Sequence, residues 1–182
     1  MPVVGVIVPG ARAAIAHTAT GFIGVIGTEG TIASGAYEQA LRVLSPDVQV
    51  ISEACPKFVP LVEKGKFSTL ETLATVRESI GHLRSYPIDT LILGCTHYPF
   101  LMETIAEVMG QDVKLISSAD ETAREVKSIL HDKGELVQIG GSLPVHQFFC
   151  SGESQLFQFI AREWLGKQIK LTPVVWQVAN IS

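Results

Sequence analysis

The chain has 182 residues, 47% of them apolar and 18% charged, which excludes a disordered polymer. Fourteen Lys+Arg against 18 Asp+Glu give a formal net charge of −4, and no cluster of basic residues makes a footprint for nucleic acid. No apolar run reaches the roughly 18 residues of a spanning helix, and the first residues lack the basic flank of a signal peptide, so the expectation is a cytoplasmic protein with neither membrane nor nucleic-acid partners.

Short apolar runs alternate with helical patterns, which predicts an α/β fold with a mostly parallel sheet flanked by helices. Residues 2–8 read as the first strand and 11–17 as a helix; 22–26 is the next strand, and 31–44 a helix stopped by Pro46. Strand 48–53 leads to a short helix over 58–64. Ser68 with Glu71 forms a capping box that opens a helix over 68–85, with Leu70, Leu73, Val76, Ile80 and Leu83 on its apolar face. Strand 90–94, helix 100–109, strand 113–117 and helix 120–131 follow. The continuous run Leu91-Ile92-Leu93 fits a strand covered on both faces.

Beyond Lys133 the texture changes. Residues 136–139 and 144–150 read as strands joined across Gly140-Gly141-Ser142. Residues 153–165 read as a helix with Leu156, Phe157, Ile160 and Trp164 on one face, and 171–178 as a final strand. This tail holds both tryptophans and four of the eight phenylalanines, so its apolar bulk must pack on something. No internal repeat or low-complexity segment is present.

In open parallel sheets ligands bind beyond the carboxyl ends of the strands. That rule selects Gly27-Thr28-Glu29-Gly30-Thr31, Cys55-Pro56 and above all Gly94-Cys95-Thr96-His97-Tyr98-Pro99. At the last of these a thiol, a hydroxyl and an imidazole can face one cleft. A free thiol titrates near pH 8.5, so a small shift makes Cys95 competent as acid or base near neutrality. Spacing alone does not separate a nucleophile from a general base. Glu63, after another strand end, can orient an imidazole or hold an ammonium group, although an exposed glutamate on an amphipathic helix is the commoner case. Thr28 and Thr31 flank a turn into a helix, where hydroxyls and backbone N–H groups can hold a carboxylate, and an N-cap can serve both purposes. The glycines of Gly24-Val25-Ile26-Gly27-Thr28-Glu29-Gly30 do not match a dinucleotide fingerprint. Cys55, Cys95 and Cys150 are too few and too widely spaced for a disulfide framework, and with His97 they show no zinc-type spacing; no metal is expected.

At these residues the sequence resembles the glutamate racemases, which are cofactor-independent. The matching segments run in family order: residues 2–11, Ile23-Gly24-Val25-Ile26-Gly27-Thr28, Cys55-Pro56-Lys57-Phe58-Val59-Pro60-Leu61-Val62-Glu63 and Asp89-Thr90-Leu91-Ile92-Leu93-Gly94-Cys95-Thr96-His97-Tyr98-Pro99. The resemblance implies two α/β domains holding glutamate in the cleft between them, with one cysteine on each side of its α-carbon and neither pyridoxal phosphate nor metal. It implies Cys95 as one of the two acid/base cysteines, His97 as its imidazole helper and Glu63 as the supporting carboxylate. Thr28, Thr31, Thr96 and His97 become the expected substrate ligands.

The sequence departs from the family in lacking the Ala-Cys-Asn-Thr-Ala-like motif of the first cysteine and the Asp-Ser-Gly motif ahead of it. Cys55 and Cys150 do not stand in such contexts. The resemblance is therefore to the C-terminal two-thirds of a racemase, with residues 4–115 expected as the second domain and 116–182 as the C-terminal part of the first. On that reading the aromatic tail gives the expectation of homo-oligomeric association. The rival expectation is a noncatalytic glutamate-binding or interaction module derived from a racemase.

Overall fold

The computed structural model describes residues 3–137, 145–166 and 168–175. They form two compact units, Met1–Leu136 and Val137–Ser182.

The first unit is built on four parallel strands. In chain order its elements are α1 (Ile7–His17), β1 (Phe22–Gly27), α2 (Glu29–Ala33), α3 (Ala36–Leu44), β2 (Gln49–Ala54), α4 (Phe58–Glu63), α5 (Leu70–Ile80), β3 (Thr90–Leu93), α6 (Met102–Met109), β4 (Lys114–Ser117) and α7 (Ser118–Asp132). Short 3₁₀ turns at Gly81–Ser85 and Tyr98–Leu101 follow α5 and precede α6. The strand order is β2-β1-β3-β4. Ile23, Val25, Ile92 and Ile116 turn one face of the sheet toward α1 and α3, where Ala11, Ala14, Tyr37 and Leu41 complete a buried cluster. Strand alternation sends Gly24, Ile26, Leu91 and Leu93 to the opposite face, and these too are buried. Both faces are covered, which is why the strands read as unbroken apolar runs.

The register sets the carboxyl ends level: Gly27 lies opposite Ala54, Ile26 opposite Leu93, and Leu93 opposite Ser117. From β1 the chain moves outward to β2, then returns to lay β3 on the other side of β1. The crevice at this reversal opens between the ends of β1 and β3, the place where open sheets take their ligands.

Several expected elements need correction. Residues 3–6 form no strand, and Ile7 and Val8 open α1 instead. Pro9 in the first helical turn costs nothing there, because its missing N–H has no intrahelical partner to lose, so the alanine-rich helix extends back through it. The helix expected over 31–44 is broken by Gly35 (φ +62°) into α2 and α3. At α5 the cap is Thr69, whose Oγ1 accepts the Thr72 N–H at 3.2 Å; Ser68 lies outside the helix and Glu71 pairs with Lys66 at 2.6 Å. Leu70, expected on the apolar face, is 86% exposed. Among the described residues, no helix is long and apolar enough to cross a membrane.

In the second unit β5 (Phe148–Cys150) and β6 (Leu171–Pro173) pair in parallel, and α8 (Ser154–Leu165) makes the crossover that parallel pairing requires. The strands expected over 144–150 and 171–178 are thus shorter, with 144 and 176–178 outside the described residues. Leu136 and Val137 are not in a strand, while 138–139 and the Gly140-Gly141-Ser142 connection lie outside the described residues, as does the side chain of Leu156. Phe149, Phe157 and Phe159 are all exposed.

Candidate active site

Two strand ends supply the site. Beyond β1, Thr28 takes an extended conformation and caps α2: its Oγ1 accepts the Thr31 N–H at 3.3 Å, and the two threonine hydroxyls stand 3.0 Å apart. Beyond β3, the Gly94 N–H donates to the Ile26 carbonyl at 2.8 Å, so the ladder continues to the residue before Cys95. A Cβ on Gly94 would lie 2.9 Å from that carbonyl oxygen, 3.0 Å from Cε2 of Tyr37 and 3.6 Å from the Thr31 methyl. Only glycine fits, and the glycine brings the threonine pair and the cysteine turn together.

The Cys95 carbonyl then accepts the Tyr98 N–H at 3.1 Å, which folds the thiol and the imidazole into one turn. Cys95 Sγ is 3.8 Å from His97 Nδ1, and His97 Nε2 is 3.6 Å from Glu63 Oε1. The second distance is that of an ion pair rather than a direct hydrogen bond. Cys95 and His97 are half-buried and Glu63 exposed, so sulfur, ring and carboxylate form a line leading out to solvent. Thr96 is exposed on the same turn.

Glu63 reaches this line because of a contact that sequence reasoning missed. The buried Tyr98, next to His97, donates its phenol O–H to the Cys55 carbonyl at 2.9 Å. Its ring meets Phe58, the first residue of α4, edge-on at 5.1 Å. The turn carrying His97 is thereby fastened to the helix that ends in Glu63. Burial pushes the Tyr98 phenol well above its ordinary range, with Cys55 and Cys95 adding to it, so Tyr98 acts here as a neutral donor.

Cys55 is fully buried. Burial, reinforced by Glu53, pushes its thiol up to about 12, which leaves it protonated and inert near neutrality. Cys150 belongs to the second unit. Of the three cysteines, Cys95 alone stands beside an imidazole in the first unit.

Residues 1–126 match the family described as Asp/Glu/Hydantoin racemase. The chain belongs to that family. The chain is 51% identical over 163 residues to a glutamate racemase of Oceanobacillus iheyensis, spanning 89% of this chain and 59% of that protein. Its fold superposes on the crystal structure of a glutamate racemase isoform from Bacillus anthracis with TM-score 0.89 at 48% identity, covering 96% of this chain and 65% of the other. A glutamate racemase from Francisella tularensis, crystallised in complex with D-glutamate, superposes with TM-score 0.84 at 28% identity, covering 97% and 64%. The chain thus spans about three-fifths of the length of these relatives.

Proposed function

We propose that the chain carries one half of the acid/base machinery of a glutamate racemase, interconverting L- and D-glutamate for peptidoglycan synthesis in the cytoplasm. The observation that carries this reading is the line Cys95–His97–Glu63 beside the Thr28–Thr31 pair, at 3.8, 3.6 and 3.0 Å along its members. The solved Francisella relative with bound D-glutamate supports the choice of substrate.

The Cys95 thiolate takes the α-proton: the C–H bond breaks, its electron pair moves toward the substrate carboxylate, and an S–H bond forms. Hydroxyls of Thr28, Thr31 and Thr96 stabilise that developing charge from fixed positions. His97 exchanges protons with the sulfur and also contacts the substrate, while Glu63 keeps the ring oriented. A single thiol addresses one face of a fixed α-carbon, so inversion needs a proton donor on the opposite face. In this family that donor is a second cysteine in a motif that these 182 residues do not contain.

The test joins the chain to the N-terminal third of the Oceanobacillus relative and follows racemisation and α-deuterium exchange in D₂O. The expected outcome is racemisation that Cys95→Ala lowers by at least about a thousandfold. Exchange undiminished in both enantiomers in Cys95→Ala overturns the assignment. Calorimetric binding of glutamate to the unfused chain, with no exchange in either form, identifies a ligand-binding module instead.

The domain assignment belongs to the same proposal: residues 4–115 as the second racemase domain and 116–182 as part of the first. Limited proteolysis of the fused chain, in which the first domain would be whole, tests it: cleavage near residue 115 supports the assignment and cleavage near 136 replaces it. Homo-oligomeric association is the expected state in solution, and a monomeric mass in light scattering would remove it.

A further inference from the structure

Among the buried polar contacts outside the mechanism, one lies close to the Cys95 turn. Tyr37 on α3 and Ser118 at the start of α7 are 3% and 5% exposed, and the phenol O–H donates to Ser118 Oγ at 2.8 Å across 81 residues of sequence. We propose that this pair is a strut beneath the substrate site, and that Tyr37 and Ser118 are positioning residues for Cys95, an inference that rests on the role given above to that thiol.

The strut stands at the ends of two strands, β3 and β4. The Tyr37 ring lies against Gly94, with Cε2 3.0 Å from the position a Cβ would take, and the Thr31 methyl closes on the same glycine at 3.6 Å. Ser118 follows the end of β4 directly, and α1 holds it from the other side: a Cβ on Gly10 would fall 2.7 Å from Ser118 Oγ. The surrounding cluster of Ala11, Ala14, Ile23, Val25, Leu41 and Ile92 is apolar. A phenylalanine would fill this space without any hydroxyl to satisfy. A buried hydrogen bond between neutral groups adds little net stability, but it has a direction, and here the direction fixes how the ring stands under the turn that leads to Cys95.

The titratable groups facing Cys95 come from separate elements: His97 on its own turn with Glu63 of α4 behind it, the Tyr98 phenol, and the Tyr37 phenol from α3. Burial raises the Tyr37 phenol, the Ser118 hydrogen bond lowers it, and the Cys95 charge raises it.

The test is iodoacetamide alkylation of the 182-residue chain as a function of pH, with each cysteine followed by peptide mass spectrometry. In Tyr37→Phe, and separately in Ser118→Ala, the pH midpoint of Cys95 alkylation is expected to rise by about half a unit. A turn no longer held from beneath lets Cys95 Sγ drift from its 3.8 Å approach to the His97 ring, so the thiolate is less well supported and the rate at pH 7 falls about threefold. The double variant is expected to shift no further than either single one, because the two hydroxyls act as one unit. Cys55, fully buried, stays protected throughout, and Cys150 in the second unit is unchanged. A Cys95 profile that superposes on the unsubstituted chain overturns the proposal, and so does a loss of Cys55 protection in parallel with it, which would make the pair a fold determinant only. Because alkylation needs no turnover, a shifted profile in a fused chain that exchanges no α-deuterium refutes the racemase reading and leaves the strut. Exchange with an unmoved profile does the reverse.

Discussion

At Gly94 a single methyl group has nowhere to go. The carbonyl of Ile26 and the ring of Tyr37 stand 2.9 and 3.0 Å from where it would sit, and the first of these is backbone. Gly94→Ala is expected to lower stability by about 1–3 kcal/mol in urea denaturation. Gly30→Ala, inside α2 with nothing within 4 Å of the added carbon, is expected to be neutral or to stabilise by up to about 1 kcal/mol. Gly94 was legible in the sequence as a strand end, and Cys95 and His97 as candidates because reactive groups gathered there; Glu63, after another strand, read by itself as an exposed glutamate and became a candidate through the family resemblance. Tyr37 and Ser118 were not. Tyr37 falls on one apolar stripe with Leu41 and reads as packing, and no periodicity within a helix reports a hydroxyl 81 residues away. Cys55 shows the converse: it too follows a strand, and only its complete burial separates an inert thiol from a reactive one.

At the scale of single elements, type was legible for the elements from α1 to α7 but not for the run before α1, and ends were contested. Ser68 with Glu71 and Thr69 with Thr72 are both plausible starts for α5. Thr72 decides between them because it is fully buried, and its hydroxyl is satisfied by Thr69 Oγ1 at 2.9 Å and the Lys66 carbonyl at 2.9 Å. Thr69→Ala is therefore expected to cost about 1 kcal/mol in thermal or urea unfolding, with Ser68→Ala near zero. A second tie closes the loop between α1 and β1. Asp89 accepts hydrogen bonds from the Thr18 hydroxyl at 2.7 Å and from the N–H groups of Ala19 and Thr20 at 2.7 and 2.8 Å. Burial pushes this carboxyl up, yet the hydrogen bonds outweigh it and hold the group at about 2, below its ordinary 3.8. A carboxyl lowered in the folded state stabilises the fold above its unfolded value and loses that contribution as pH falls through the folded one. Asp89→Asn is expected to cost about 1 kcal/mol at pH 7, a figure kept small because the group is partly exposed and screened. The difference from the unsubstituted chain should shrink between about pH 4 and pH 2; a difference that stays constant over that range would remove the carboxylate from the account.

Across the whole molecule, the parallel sheet was legible because strands buried on both faces carry no alternation. The strand order was not, since it depends on pairings between residues far apart in sequence. Residues 2–8 show the limit of composition: a valine-rich run reads as a strand, but β1 and β3 already fill the centre of the sheet, and the segment leads into α1 instead. The same distribution of packing decides what the two units can do alone. Among the described residues, every buried apolar side chain except Ala161 belongs to the first unit. The buried cluster around Tyr37 and Ile92 is drawn from residues 7–116. A chain of residues 1–136 is expected to unfold in one cooperative transition, with Cys55 protected from alkylation until that transition and Cys95 reacting before it. Early reaction of Cys55 would mean that the second unit contributes to the core. If the expectation holds, this fragment lets the reactivity of Cys95 be measured free of the exposed phenylalanines at 149, 157 and 159 that favour association.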